Sequence, residues 1–293
     1  MTTQTPSPAL PFWKTRHGQQ RLSQTLALGV ILAGATLLLL PFFWMISTSL
    51  KRPDEIYLLP PVWLPPAPQW SNYVEALTLV PMHLYALNTF TIVGFVLVGT
   101  LLSCSFSAYG FARLHAPGRD QIFLVLLATL MLPSAVTLVP TYLLFNSLGW
   151  VNTLLPLIVP AFFGSAFFIF LLRQFYTSVP IELEEAATID GAGPYRIWWH
   201  IMLPLSMPAL ATVAVFTFVA TYNDFFTPLI YLTDDTRQTI AVALSYFQGS
   251  PRVGPQMHLL MAAVALSIIP PMLLFLAAQR YFVRGIATTG LKG

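Results

Sequence analysis

Five long stretches free of Asp, Glu, Lys and Arg constrain this chain more than any other feature: Leu22 to Leu50, Ala76 to Ala112, Gln121 to Leu172, Ile197 to Asn223 and Val253 to Gln279. A helix needs about 20 apolar residues to cross the hydrocarbon core of a bilayer. At about 1.5 Å per residue the third stretch reaches roughly twice that thickness, so it divides in two, with the turn at Asn146-Ser147-Leu148-Gly149-Trp150-Val151-Asn152. The sequence therefore predicts an all-α integral membrane protein with six transmembrane helices, at about Leu22 to Ser49, Leu84 to Phe111, Ile122 to Phe145, Leu154 to Phe175, Leu205 to Leu232 and Leu259 to Phe282. Composition agrees: 9% of residues are charged, against about 25% in ordinary soluble domains.

Basic residues set the orientation. With the N-terminus inside, ten fall on cytoplasmic segments (Lys14, Arg16, Arg21, Arg113, Arg119, Arg173, Arg196, Arg280, Arg284 and Lys292), against four outside (Lys51, Arg52, Arg237 and Arg252). Both termini are expected in the cytoplasm. The net charge of +3 follows from this topology and calls for no nucleic-acid partner. The first apolar run is too long for a signal-peptide core and lacks a small-residue cleavage pattern, so it is expected to stay as a span.

The chain divides into a flexible cytoplasmic tail at 1–21, a first span at 22–50, an external loop at 51–83, a five-helix transmembrane domain at 84–282 and a cytoplasmic tail at 283–293. Between Lys51 and Leu77, six prolines with Trp63, Trp70 and Tyr73 make the first external loop stiff, suited to anchoring at the headgroups or to binding a partner. A second external loop, Thr233 to Met257, is another candidate contact surface.

The segment between the fourth and fifth spans, about 176–204, differs from everything around it. Pro180 suits a first helical turn, and Glu182, Glu184 and Glu185 place carboxylates at the favourable end of the helix dipole. Ala186 and Ala187 keep the helix thin, and Asp190-Gly191 ends it, since Gly takes the left-handed conformation just past a helix. Tyr195 to Ile201 is amphipathic and aromatic, suited to the interface before Pro204 opens the fifth span. From physics alone the segment is either a solvated connector or a docking helix for another protein.

Glu185-Ala186-Ala187, three residues, Gly191, nine residues, Ile201, one residue, Leu203-Pro204 resembles the EAA motif of ABC-importer permeases at all seven fixed positions. Such a match arises by chance on the order of once in 10⁸ placements. The resemblance covers nearly the whole chain and implies the type I importer (MetI-like) fold of the maltose-type, MalG-like sugar permeases. Tyr222-Asn223-Asp224-Phe225-Phe226-Thr227-Pro228-Leu229-Ile230-Tyr231-Leu232 is similar to a fifth-span signature of that branch, although a Trp is common where Tyr222 stands. Ser250 to Pro255 departs from its pattern.

The resemblance implies that Glu184, Glu185, Ala186, Ala187, Asp190, Gly191, Ala192, Ile201, Leu203 and Pro204 couple to an ATPase subunit, and that Arg284, Gly285, Lys292 and Gly293 in the tail reach it too. It further implies two ATP-binding subunits, a second homologous permease (MalF-like), an extracytoplasmic solute-binding protein and a sugar substrate, in a bacterial or archaeal cytoplasmic (inner) membrane.

Neither catalytic residues, a metal site nor a bound cofactor are expected on this chain. Its only lysines, Lys14, Lys51 and Lys292, lack the context of a phosphate-binding loop, so ATP and Mg belong to a partner ATPase. His17, His83, His115, His200 and His258 are scattered, and Cys104 stands alone. Asn223, Asp224 and Phe225 are candidates for the substrate pathway. Asp224, the one acid inside an expected span, is either functional or a structural hydrogen-bonded acid. If functional on its own, it would be the coupling acid of a secondary carrier driven by an ion gradient; a non-transporting membrane scaffold is a further alternative.

Overall fold

In a bilayer core every backbone N–H and C=O must pair inside the protein, as in a helix or a closed barrel, and continuous apolar runs of about 20 residues or more take the helix. The computed structural model describes residues 16–250 and 254–289, nearly all of them helical or in short connections. The helices are α1 (Arg16–Ser49), α2 (Ser71–Thr78), α3 (Met82–Arg113), α4 (Arg119–Ala128), α5 (Ser134–Ser147), α6 (Leu155–Ile158), α7 (Ala166–Ser178), α8 (Glu182–Ile189), α9 (Pro194–Ile197), α10 (Leu203–Leu205), α11 (Met207–Tyr222), α12 (Phe226–Tyr231), α13 (Ile240–Tyr246), α14 (Met257–Ser267) and α15 (Ile269–Thr289). Gln248–Ser250 and Gly254–Pro255 pair as a small antiparallel ladder.

Among the described residues, four helical segments are long and apolar enough to cross a membrane: Ser23–Ser49, Met82–Arg113, Leu155–Ser178 and Met257–Gln279. Two bent pairs complete the six, Arg119–Met131 with Ala135–Ser147 at 103° and Pro194–Leu205 with Met207–Tyr222 at 77°. The first bend follows from Pro133, which holds Leu132 extended and cannot continue a helix. The second sits at Ser206, between Pro204 and Pro208. Pro204 has no N–H to give to the preceding turn, and the chain absorbs this with a π-helical turn over Trp198–Met202, in which Leu203 N–H reaches back to Trp198 C=O. The fully buried Ser206 hydroxyl lies 3.3 Å from Tyr176 OH and fixes the corner.

Two boundaries differ from the sequence reading by more than three residues. Residues 16–21, expected in the tail, already belong to α1, while residues 1–15 lie outside the description. The fifth span, expected to run to Leu232, ends at Tyr222. Asp224 starts a new short helix by accepting Thr227 N–H at 3.1 Å, and Pro228 sits in the first turn of that helix, where no N–H is needed.

The packed interior has two halves, strung along α3. One joins α2, the first half of α3, the end of α11, α13 and α14; the other joins the second half of α3, α7, Ile197–Met202 and the start of α11. Among its described side chains, α1 packs only at its end nearest the 51–83 loop, where Ser47, Thr48, Ser49 and Lys51 are buried. Asn72 in α2 donates to Ser49 C=O at 2.8 Å and Lys51 C=O at 3.0 Å, and the Lys51 ammonium lies 3.9 Å over the Trp44 ring. Burial lowers the Lys51 pKa below the ordinary lysine value, with Glu55 pulling the other way. Trp63 stands edge-on to Trp44 while remaining half exposed, so part of the proline-rich loop is fastened to the first span.

Candidate coupling site and solute pathway

α8 is held by one face and offers the other. Glu184 is buried, with Oε1 2.7 Å from Arg113 Nε and Oε2 accepting Tyr109 OH at 3.4 Å. Arg113 closes α3 and also donates through Nη2 to Val179 C=O, so one guanidinium ties the end of α3 to both sides of the α8 entrance. Ala187 packs against the inner core, whereas Glu182, Glu185, Ala186 and Asp190 are exposed and Ile189 is 86% exposed. Positions 182, 185, 186 and 189 recur at helical spacing and form one outward stripe. Pro180 stands two residues ahead of α8 rather than within its first turn.

The end of α8 is a complete Schellman motif. Ala192 N–H bonds Ala187 C=O at 2.9 Å and Gly191 N–H bonds Thr188 C=O at 3.0 Å, with Gly191 at φ +81°. A Cβ at Gly191 would touch nothing within 4 Å, so glycine is required here by conformation and not by space. Beyond it, Ile197 and Trp198 are buried while Tyr195 and Trp199 remain exposed, the amphipathic pattern read from the sequence. Leu203 packs on the inner core, Ile201 is half-buried and Pro204 is exposed at the start of α10.

The three candidates at the end of the fifth span separate. Asn223 and Phe225 line a cavity of about 750 Å³ together with Tyr222, Ser245, Gln248 and Phe275. Asn223 Nδ2 donates to Val219 C=O at 2.8 Å, and Tyr222 OH donates to Ser267 C=O at 2.9 Å. Asp224 instead lines a smaller hollow of about 230 Å³ with Thr89, Pro156 and Thr239. Its bond to Thr227 N–H makes it a cap for α12.

Of the expected tail contacts, Arg284 and Gly285 fall in α15, and Lys292 and Gly293 lie outside the described residues. The Ser250 to Pro255 stretch is described only at its ends. Sequence reasoning missed Arg113 and Tyr109 as anchors and Ile189 as the most exposed apolar residue of α8. It also missed a clamp across the second external loop. Asn152, at φ +62°, accepts Thr233 N–H at 3.2 Å and Asp234 N–H at 2.9 Å on Oδ1, and its C=O accepts Arg237 Nη1. Asn88 Nδ2 donates to Thr236 C=O at 2.9 Å and Gln238 C=O at 3.0 Å. An Asn in a Gly-containing turn signals the first half of that clamp; nothing local signals Asn88.

A bundle of bent apolar helices around a cavity, with a short polar helix held out on one side, defines a membrane-spanning permease. Residues 99–288 match the family described as binding-protein-dependent transport system inner membrane component, and the chain belongs to that family. It is 34% identical over 258 residues to the probable ABC transporter permease protein YurM of Bacillus subtilis, covering 86% of this chain and 83% of that one. To the diacetylchitobiose uptake system permease protein NgcG of Streptomyces coelicolor it is 31% identical, with the same two coverages. To the sn-glycerol-3-phosphate transport system permease protein UgpE of Yersinia enterocolitica it is 31% identical over 88% of this chain and 93% of that one. Among solved structures, a chain of a bacterial ABC transporter involved in import of the acidic polysaccharide alginate superposes with a TM-score of 0.80 at 23% identity, covering 95% of this chain and 100% of that one.

Proposed function

We propose that this chain is one of two permease subunits in an ATP-driven sugar importer of a bacterial or archaeal inner membrane, with both termini in the cytoplasm. The observation that carries the proposal is the division of labour on α8. Glu184 fastens the helix to α3, leaving Glu185, Ala186 and Ile189 turned outward on a rigid, Gly191-capped element. Such a stripe fits a groove on an ATP-binding subunit. Permease names among the relatives support the class, and sugar uptake in one of them supports the solute.

In this reading, ATP and Mg bound by two ATPase subunits draw two coupling helices together, one from this chain and one from a MalF-like partner. The Arg113–Glu184 pair passes that movement to α3, the helix along which both halves of the core are assembled. The bundle then opens outward, takes a solute from an extracytoplasmic binding protein, and resets on hydrolysis. Asn223 and Phe225 border the path, and Arg284, Gly285, Lys292 and Gly293 touch the ATPases. An ion-coupled carrier built on Asp224 is disfavoured, because that carboxylate already serves as a helix cap.

The test is co-purification of the tagged chain from its native membrane, with and without Glu185→Lys or Gly191→Pro. An ATPase and a second permease are expected with the wild type and lost from both variants. Unchanged recovery in the variants would remove α8 from the coupling role.

A further inference from the structure

On the α8 side of the bundle, α3, the start of α4 and the segment after Gly191 border an open cavity of about 650 Å³. Its wall is almost wholly apolar, formed by Phe106, Phe111, Leu114, Ile122 and Tyr195. Phe106, Ile122 and Tyr195 are each more than half exposed, so the chamber presents apolar surface to whatever fills it. The cavity adjoins a polar recess of about 510 Å³ formed by residues 115–121, and the two share Ala116, Pro117 and Arg119.

Arg119 therefore stands where an apolar chamber meets a polar mouth. Its Nε pairs with Asp120 at 3.0 Å and its Nη1 donates to Leu114 C=O at 2.9 Å. Among the described residues Nη2 has no partner. His115 and the exposed Asp120 carboxylate line the same recess, so a phosphate there would sit on the Nη2 side of the guanidinium, away from Asp120. An apolar chamber of ligand size with a guanidinium at its mouth, between the end of the Met82–Arg113 span and the start of the Arg119–Met131 segment, matches an acyl chain joined to an anionic headgroup.

We propose that this cavity holds one anionic glycerophospholipid, with its phosphate at Arg119 and an acyl chain between Phe106, Ile122 and Tyr195. Phe106 and Tyr195 both pack on Trp198, at ring separations of 5.2 and 5.5 Å. The lipid thus braces the segment that runs from the coupling helix into the fifth span, and lipid composition tunes how firmly that segment is held. The assignment does not depend on which solute is carried or on ATP.

Gly110 gives a clean test. It lines the cavity, and a Cβ built on it meets nothing within 4 Å, so the side chain of Gly110→Leu starts into open space on the chamber side of the helix. The full-length chain, with whatever subunits accompany it, is purified after exposure to mixed phosphatidylglycerol and phosphatidylcholine vesicles and examined by native mass spectrometry. Wild type is expected to retain phosphatidylglycerol in preference to phosphatidylcholine. Gly110→Leu should lose it, and Arg119→Ala should hold it about five-fold more weakly. Arg119→Lys, which keeps the charge, should hold it better than Arg119→Ala. Equal retention of the two lipids, no retention by wild type, or unchanged retention in Gly110→Leu would each overturn the proposal.

Discussion

Glu184 and Glu185 are neighbours of the same chemistry with opposite duties, and removing each charge separates them. Glu184→Gln leaves the Arg113 guanidinium without its carboxylate in a site where the two side chains are only 10% and 12% exposed. Removing one partner of a buried pair costs about 3–5 kcal/mol. Here Arg113 keeps its bond to Val179 C=O and the site is not fully dry, so about 2–3 kcal/mol is the appropriate share. That cost falls on the docking of α8 against α3, and corresponds to a roughly 30- to 150-fold rise in the population of the detached helix. Hydrogen exchange of the α8 amides reads this directly, and Glu185→Gln, on the exposed face, should leave the exchange unchanged. In a double-mutant cycle, Arg113→Gln combined with Glu184→Gln should cost less than the sum of the two single changes. Exchange in Glu184→Gln no faster than in Glu185→Gln, or strict additivity, would refute the anchoring role.

Three further outcomes follow from the same structure. Gly99→Ala places a Cβ 2.8 Å from Phe162 Cδ2 and should lower the melting temperature by the equivalent of about 1–3 kcal/mol, whereas Gly110→Ala on the same helix meets no atom and should be neutral or stabilising. Asp224→Asn should leave the pH profile of uptake intact and Asp224→Ala should cost about 1 kcal/mol in thermal stability, as for a lost cap; a vanished proton or sodium dependence in the Asn variant would instead revive the ion-coupled carrier. Hydrogen bonds from Thr236 N–H and then Thr236 OH depress the Asp234 pKa, so their contribution to the second external loop is present above the unfolded Asp value and is lost as pH falls through the lower folded value. Thr236 amide protection should therefore persist through pH 5 and fail only below the ordinary range, near about 3.9; loss at or above that value would contradict the geometry.

Hydropathy alone made the spans legible, because a bilayer demands length and low charge and the chain has both. The broken spans were legible as prolines without being legible as bends. Pro204 was read as the opening of the fifth span, and whether the chain answers such a proline with a sharp corner or a π-helical turn depends on what packs beside it, as Tyr176 does at Ser206. On α8, the helix stop at Gly191 was readable from local chemistry. The inward turn of Glu184 was not, since its partners Tyr109 and Arg113 lie 75 and 71 positions earlier. Asp224 shows the converse: its type and place in an apolar run suggest a functional acid, and only the course of the chain reveals a cap.

The central claim, that the outward stripe of α8 meets an ATPase, is tested most directly at Ile189, which is 86% exposed. A photo-crosslinking side chain placed there in the intact cell, with the buried Leu172 as control, reports what lies against the helix. The expected result is an adduct with an ATP-binding subunit from position 189, lost when Glu185→Lys is added, and none from position 172. An adduct with lipid alone, or the same ATPase adduct retained in Glu185→Lys, would contradict the coupling role.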